Sequence, residues 1–468
     1  MTRLFVILGA LLVLPGCDDD STAPTSPQRV PTPAPAPAPA PEPDPGPGPV
    51  PPEIAAWVEA NALPFDGTHL SLPHTDIEFL RDLVGDARIV ALGENTHGTR
   101  DFFEMKARIL RFLVEEMGFN TFAIEATWPE SRLVDDYVRT GEGDSARLLA
   151  GLYFWTWNTE SVLEMIEWMR DHNEAGGDVG FHGVDVQYPG LALQNVLDYL
   201  EEVDPESVPA FTSQVDCLQL YANRVGGRFP NDRYGDLSAT YRAECGQSLS
   251  EANDLLLAKR EEYEAASSEG AFEVALQSMR VAFQYHLMIT GHQGRDESMA
   301  ENTEWVIRQI GPEGRMVLWA HNYHISNQRY AQGSYMKETF GDDLVTLAFT
   351  HERGSFTAYS RNARSNQAWE LDPPVADSVE HYLSAASAPQ FILDLRAVDE
   401  NTPGGSWLTE SRETRSIGCC YEEEEPENYW FPRQMTELFD LIAHFESTGP
   451  TTVLPFYFSL FETDGAGR

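Results

Sequence analysis

Residues 88–98 read Arg88-Ile89-Val90-Ala91-Leu92-Gly93-Glu94-Asn95-Thr96-His97-Gly98: a short apolar run that stops abruptly in a polar loop bracketed by two glycines. An apolar run of this length, without polar alternation, is what a strand covered on both faces of a parallel sheet requires. Six other runs share its character: Thr121–Ala126, Val179–Val186, Met316–Ala320, Leu344–Phe349, Phe391–Leu395 and Leu441–Phe445. Helical patterns such as Asp101–Met117 and Thr159–Arg170 lie between them. The alternation predicts an α/β fold, a mainly parallel sheet with flanking helices. From about Gly190 to Arg308 no strand is evident. Patterns such as Ser250–Ala265 and Ala271–Ile289 predict a helical insertion or subdomain over about 190–308.

Ligands of open parallel sheets bind just beyond the carboxyl ends of the strands, so the residues that end each run matter most. Ile89–Leu92 leads into Glu94 and His97, and Phe122–Ile124 into Glu125. Val179–Phe181 leads into His182, Asp185 and Gln187, Val317–Trp319 into His321 and His324, and Leu441–Phe445 ends near His444 and Glu446. Any one of these is most simply a surface polar residue or a satisfied core histidine. Their coincidence at several strand ends predicts a site on one rim of the sheet.

The helix after the first tip adds to that rim. Thr99 or Asp101 is placed to cap it, with its positive dipole end toward the site. Phe103, Leu110, Leu113, Val114 and Met117 form one apolar arc, with Phe102 and Ile109 at its edge. Lys106 falls near the middle of the arc, and the chain has only two other lysines, Lys259 and Lys337. A lysine there either snorkels outward or leans back along the helix toward an anion, Glu94 or Glu125.

The N-terminus, residues 1–17, has the layout of a secretory signal: Arg3, an apolar run from Leu4 too short to span a bilayer, then Leu14-Pro15-Gly16-Cys17. That ending resembles a lipobox and predicts a lipid on Cys17; an ordinary signal peptide is the competing reading. Residues 18–52 are dominated by Pro and read as a semi-rigid stalk. The expected address is the cell envelope, lipid-anchored on the extracytoplasmic side (a periplasmic setting), with residues 53–468 as the working domain. The formal charge of −42, from 74 acidic and 32 basic residues, disfavours nucleic-acid partners, which need a basic surface. It also leaves the lipid as the sole expected membrane contact. Cys217 and Cys245 can pair in an oxidising compartment, whereas a bridge between the adjacent Cys419 and Cys420 strains the backbone.

Read together, the blocks Gly93–Gly98, Phe102-Phe103, Lys106, Leu113–Phe119, Ala123–Glu125, Gly183–Gln187, Arg295–Asn302, Trp319–His324 and Phe439–Ile442 resemble the erythromycin esterase family. The resemblance implies a hydrolase that opens an ester or macrolide lactone with water, an antibiotic-resistance chemistry, with no cofactor and no metal. It implies a catalytic set of Glu94, His97, Glu125 and His321, with His97 as general base. Lys106, Asp185, Gln187, Arg295 and His324 are its expected supporting or substrate-binding residues. The chemistry is coherent: a neutral imidazole takes a proton from water near neutral pH, and a carboxylate three residues earlier can hold its other nitrogen. A protonated His321 or His324 then serves the oxyanion or the leaving alkoxide. No Gly-x-Ser-x-Gly elbow and no phosphate-cradling glycine loop occurs. Two other readings use the same residues. His97, Glu125, Asp185, His321 and His324 are good zinc or manganese ligands, giving a metal-dependent hydrolase; or a histidine-rich lipoprotein binds iron or haem without catalysis.

Overall fold

The computed structural model describes residues 48–222 and 233–455. The signal, Cys17 and nearly all of the Pro-rich stalk lie outside the described residues. In chain order the strands are β1 (Leu63–Pro64), β2 (Ile89–Leu92), β3 (Thr121–Thr127), β4 (Gly180–Asp185), β5 (Met316–Trp319) and β6 (Leu344–Ser360). They continue with β7 (Ser365–Glu370), β8 (Gln390–Asp394), β9 (Arg412–Arg415), β10 (Trp430–Arg433) and β11 (Leu441–Thr448). One sheet has the order β1-β8-β11-β6-β2-β5-β3-β4, with β7 paired on β6, and β9 and β10 form a separate ribbon.

The seven apolar runs are all strands. Six of them, β11, β6, β2, β5, β3 and β4, are neighbours and parallel. The seventh differs: Phe391–Leu395 lies in β8, which runs antiparallel to β11 and to β1. Its apolar character reports burial, and burial is the same for either direction.

Successive side chains of a strand point to opposite faces, and here each face has its own core. Val90, Leu92, Phe122, Ile124, Val317 and Trp319 pack with Phe103, Leu110, Leu113, Val138 and Ile166. These belong to the Arg100–Met117, Trp128–Thr140 and Glu160–Glu174 helices. Ile89, Ala91, Ala123, Met316 and Leu318 pack on the other face with Leu193, Val196, Ala282, Met299 and Val306. The segment predicted as a helical insertion therefore shares the core of the sheet. Cys217 and Cys245 are bridged there, with Cα atoms 5.5 Å apart. No helix among the described residues is long and apolar enough to cross a membrane.

The Arg100–Met117 helix ends on Gly118, whose φ of 73° supplies the left-handed stop. Its start is not capped as expected. The Thr99 hydroxyl bonds Thr96 at 3.0 Å, and Asp101 accepts from the Gly449 backbone N–H at 2.7 Å. Both side chains tie the helix to its surroundings and leave its first turn uncapped by a side chain.

Candidate active site

The loop after β2 is fixed by the backbone of distant segments. The Gly93 N–H donates to Leu347 (2.8 Å), and the Asn322 N–H donates to the Glu94 carbonyl (2.8 Å). The Asn95 carbonyl accepts from Ile417 (2.7 Å), and the His97 N–H donates to Gly418 (3.3 Å). The Gly98 carbonyl accepts from both Thr357 (2.8 Å) and Thr451 (2.9 Å). A Cβ at Gly98 would strike the Thr357 carbonyl, and one at Gly93 the Asn322 side chain. The two glycines are therefore needed for close approach of neighbouring chain.

Glu94 is fully buried and divided among three partners. Its Oε1 holds His97 Nδ1 at 2.6 Å. Its Oε2 accepts from the Trp319 indole at 2.8 Å and is ion-paired to Lys106. Lys106 does not snorkel; it is completely enclosed, and its ammonium stands 3.9 Å from the Trp319 ring centroid. Burial lowers its pKa to about 8, and Glu94 keeps it from falling further. With Nδ1–H donated to the carboxylate, the lone pair of His97 lies on Nε2. The ring lines a cavity of about 220 Å³ together with Glu125, Phe154, Trp157, Gln187, Arg295 and His324.

A second network begins at Glu125. Its Oε1 accepts from Arg295 (2.8 Å) and faces His324 Nε2 (3.2 Å), and its Oε2 accepts from the His321 backbone N–H (3.0 Å). Burial alone would raise the Glu125 pKa, but His324 and Arg295 hold it well below the usual range. Arg295 also grips Asp185 through Nε (3.0 Å) and a terminal nitrogen (2.7 Å), and Gln187 donates to the same carboxylate at 2.6 Å. His324 Nδ1 meets Asp296 at 2.7 Å. Burial opposes its charge, yet Glu125 and Asp296 prevail and raise it to about 9.

His321 behaves differently from the sequence expectation of a cation. Burial, with His97 and His324 beside it, pushes its pKa well below the ordinary value, so it is neutral. Its Nδ1 accepts from the Tyr323 N–H at 3.1 Å, which leaves the proton on Nε2. That N–H is enclosed without a well-aligned hydrogen-bond partner, and the ring centroid is 5.1 Å from that of His97.

All nine predicted site residues thus belong to two linked networks. Two other rim histidines do not. His444 lies within β11, its Nδ1 3.1 Å from the Thr350 hydroxyl, and burial takes its pKa down to about 3. Its neighbour Glu446 pairs with Arg353 away from the site. His182 is mid-strand in β4, where burial lowers its pKa beside Asp135. Both histidines fall inside their strands, β11 running to Thr448 and β4 to Asp185, so neither stands at a strand end.

A family model described as erythromycin esterase matches residues 114–448. The chain belongs to the erythromycin esterase family. The matched span includes Glu125, Asp185, Arg295, His321 and His324 and begins after Glu94, His97 and Lys106. Erythromycin esterase type II of Escherichia coli is 24% identical over 379 residues, 74% of this chain and 89% of that protein. YbfO of Bacillus subtilis (strain 168), whose name gives a provisional class, hydrolase, and no substrate, is 23% identical over 85% of this chain and 92% of its own. A solved erythromycin esterase, a variant of EreC in its open conformation, shares the fold at a TM-score of 0.63 and 18% identity, covering 81% of this chain and 95% of that one. The protein is an erythromycin esterase family hydrolase.

Several residues of the candidate site escaped the sequence reading. Trp319 ends a strand and opens the Trp319–His324 block, but nothing in the sequence assigned a role to its indole. Asp296 was quoted beside Arg295 without a role. Phe154 and Trp157 sit in an irregular segment that carries no periodic signal.

The raised pKa of His324 makes a testable statement. Between 6.5 and about 9 the folded protein holds a proton that the unfolded chain has released. The resulting stabilisation is complete below about 6.5 and disappears as pH rises through about 9. Thermal melts should show wild type losing stability relative to His324→Gln over that interval. A difference that does not vary with pH would refute the assignment.

Proposed function

We propose that the chain hydrolyses a carboxylic ester or macrolide lactone with a water activated by His97, without a metal. The observation that carries this reading is the relay Lys106–Glu94–His97, which fixes one ring nitrogen as donor and leaves Nε2 as base at the cavity. Water loses a proton to Nε2 as its oxygen bonds the carbonyl carbon. The oxyanion is met by the positive charge of protonated His324, which lines the same cavity. The imidazolium then returns its proton to the departing alkoxide, giving an acid and an alcohol.

Charge supports the same reading. The linked networks hold four carboxylates, Glu94, Glu125, Asp185 and Asp296, against three cations, Lys106, Arg295 and His324. The unfilled place for a positive charge suits an imidazolium at His97. A divalent ion is poorly served, because the Arg295 guanidinium lies between Glu125 and Asp185, the carboxylates that would bind it. No group of three or more His, Cys, Asp or Glu side chains among the described residues is arranged to hold a metal.

The test is a hydrolysis screen over macrolides and simple esters before and after dialysis against a chelator. Turnover that survives chelation is the expected result; loss restored by zinc or manganese would replace this mechanism with the metal reading. We also propose that the domain is lipid-anchored through Cys17 outside the plasma membrane. Run on membrane and soluble fractions, the same screen should find activity in the membrane for wild type and in the soluble fraction for Cys17→Ser.

A further inference from the structure

Cys419 and Cys420 sit where the catalytic loop can feel them. Their Sγ atoms are 2.6 Å apart and unbridged, Cys419 is exposed, and it lines the cavity with His97. The residues just before them hold the catalytic loop: Ile417 donates to Asn95 and Gly418 accepts from His97. On the other side the Cys419 carbonyl accepts from the Tyr359 N–H at 3.0 Å. Gly418, at a φ of 47°, takes the turn between these two attachments.

We propose that Cys419 and Cys420 are a redox modification site, forming a reversible vicinal disulfide on the cavity wall that alters the position of the His97 loop. Only the activity arm of this proposal rests on the hydrolase reading above. Neighbouring Cα atoms are about 3.8 Å apart across a trans peptide, shorter than the ~4.4 Å lower limit of ordinary disulfides. The bridge is therefore strained, and strained bridges are the easily reduced ones. Cys217–Cys245, at a relaxed 5.5 Å between Cα atoms, is the structural pair in the same chain.

The co-reactant is a small-molecule disulfide of the glutathione class. The Cys420 thiolate attacks one of its sulfurs, forming a mixed disulfide and releasing one thiolate. Cys419, losing its proton, then attacks Cys420 Sγ and expels the second thiolate. Two protein thiols become one disulfide, and the external disulfide becomes two thiols. Cys420 suits the attacking role: the Cys419 thiol donating to it, with Arg361 nearby, lowers it to about 6. Closing the bridge moves a backbone pinned to Tyr359 on one side and to His97 on the other, so the strain is shared with the loop.

The full chain is equilibrated in glutathione buffers of rising oxidised fraction and digested for mass spectrometry. The peptide with residues 419 and 420 should lose about 2 Da, two hydrogens, and regain them on reduction, while Cys217–Cys245 stays bridged. Hydrogen exchange of the amides from Asn95 to Gly98 should change severalfold between the two states in wild type, and not in Cys419→Ser/Cys420→Ser. The ratio of hydrolysis rates between the two buffers should follow the same pattern. No mass change, a persisting glutathione adduct, or identical exchange in both states would overturn the proposal. Mass and exchange are read without a substrate, so failure of the hydrolase reading leaves both arms informative.

Discussion

Replacing His97 with alanine is expected to lower turnover ~10²–10⁴-fold, the usual worth of general-base assistance, with little loss of fold. The backbone of the loop, not the imidazole, makes the bonds to Gly418, Thr357 and Thr451, so the scaffold survives truncation of the ring. Glu94→Gln should fall in the same direction. The amide keeps the volume but removes the charge that opposes the imidazolium, and the tautomer is no longer enforced. Steady-state kinetics with matched melting curves separate the outcomes. If His97→Ala retains wild-type turnover, His97 is not the base, and the remaining imidazole at the cavity, His324, is already protonated through Glu125 and Asp296.

The second large effect is on stability. Lys106→Met fits the apolar surroundings made by Phe103, Trp319 and Phe349, but it strands the Glu94 carboxylate in a fully buried position. Removing one member of a buried pair costs about 3–5 kcal/mol, far more than the gain from an extra apolar side chain. Denaturant unfolding should therefore show a marked drop for Lys106→Met and recovery in Lys106→Met/Glu94→Gln, where no charge is stranded. Lys106→Arg should lie nearer wild type in charge while suffering from its larger head in a closed space. Equal stability of Lys106→Met and wild type would mean that Glu94 is not held as a charged partner.

Where burial alone determines the pattern, the sequence was readable. Ile89–Leu92, Met316–Trp319 and their neighbours announce strands because covered strands have no other composition. The gathering of polar side chains at their ends was readable for the same geometric reason, since a polar residue just after such a run has few places to go but the rim. Direction was not readable, and Phe391–Leu395 turned out antiparallel. His444 and His182 were assigned to the rim because a histidine ends an apolar run on paper, while in space the pleat continues and buries it. The charge state of His321 was beyond reach as well. It depends on burial and on His97, from a distant segment, and His324, three residues on, neither of whose positions a linear pattern gives. Lys106 is the instructive intermediate: its place on the helix gave two fates, and the packing of Trp319 over it selected one.

The clasp around Gly98 has a bearing on how the protein comes into being. Residues 94 and 97 emerge early in synthesis, but the groups that hold their loop, at Thr357, Gly418 and Thr451, are made more than two hundred and fifty residues later. Closing such long stretches of chain is slow, and partners so far apart in sequence are the last to be won. A nascent or truncated chain that contains every acidic and imidazole group of the first loop, yet stops short of Thr451, has the reagents without the mould. If His97 acts as proposed, activity should therefore appear only once synthesis has passed Thr451, whose backbone N–H completes the clasp on Gly98.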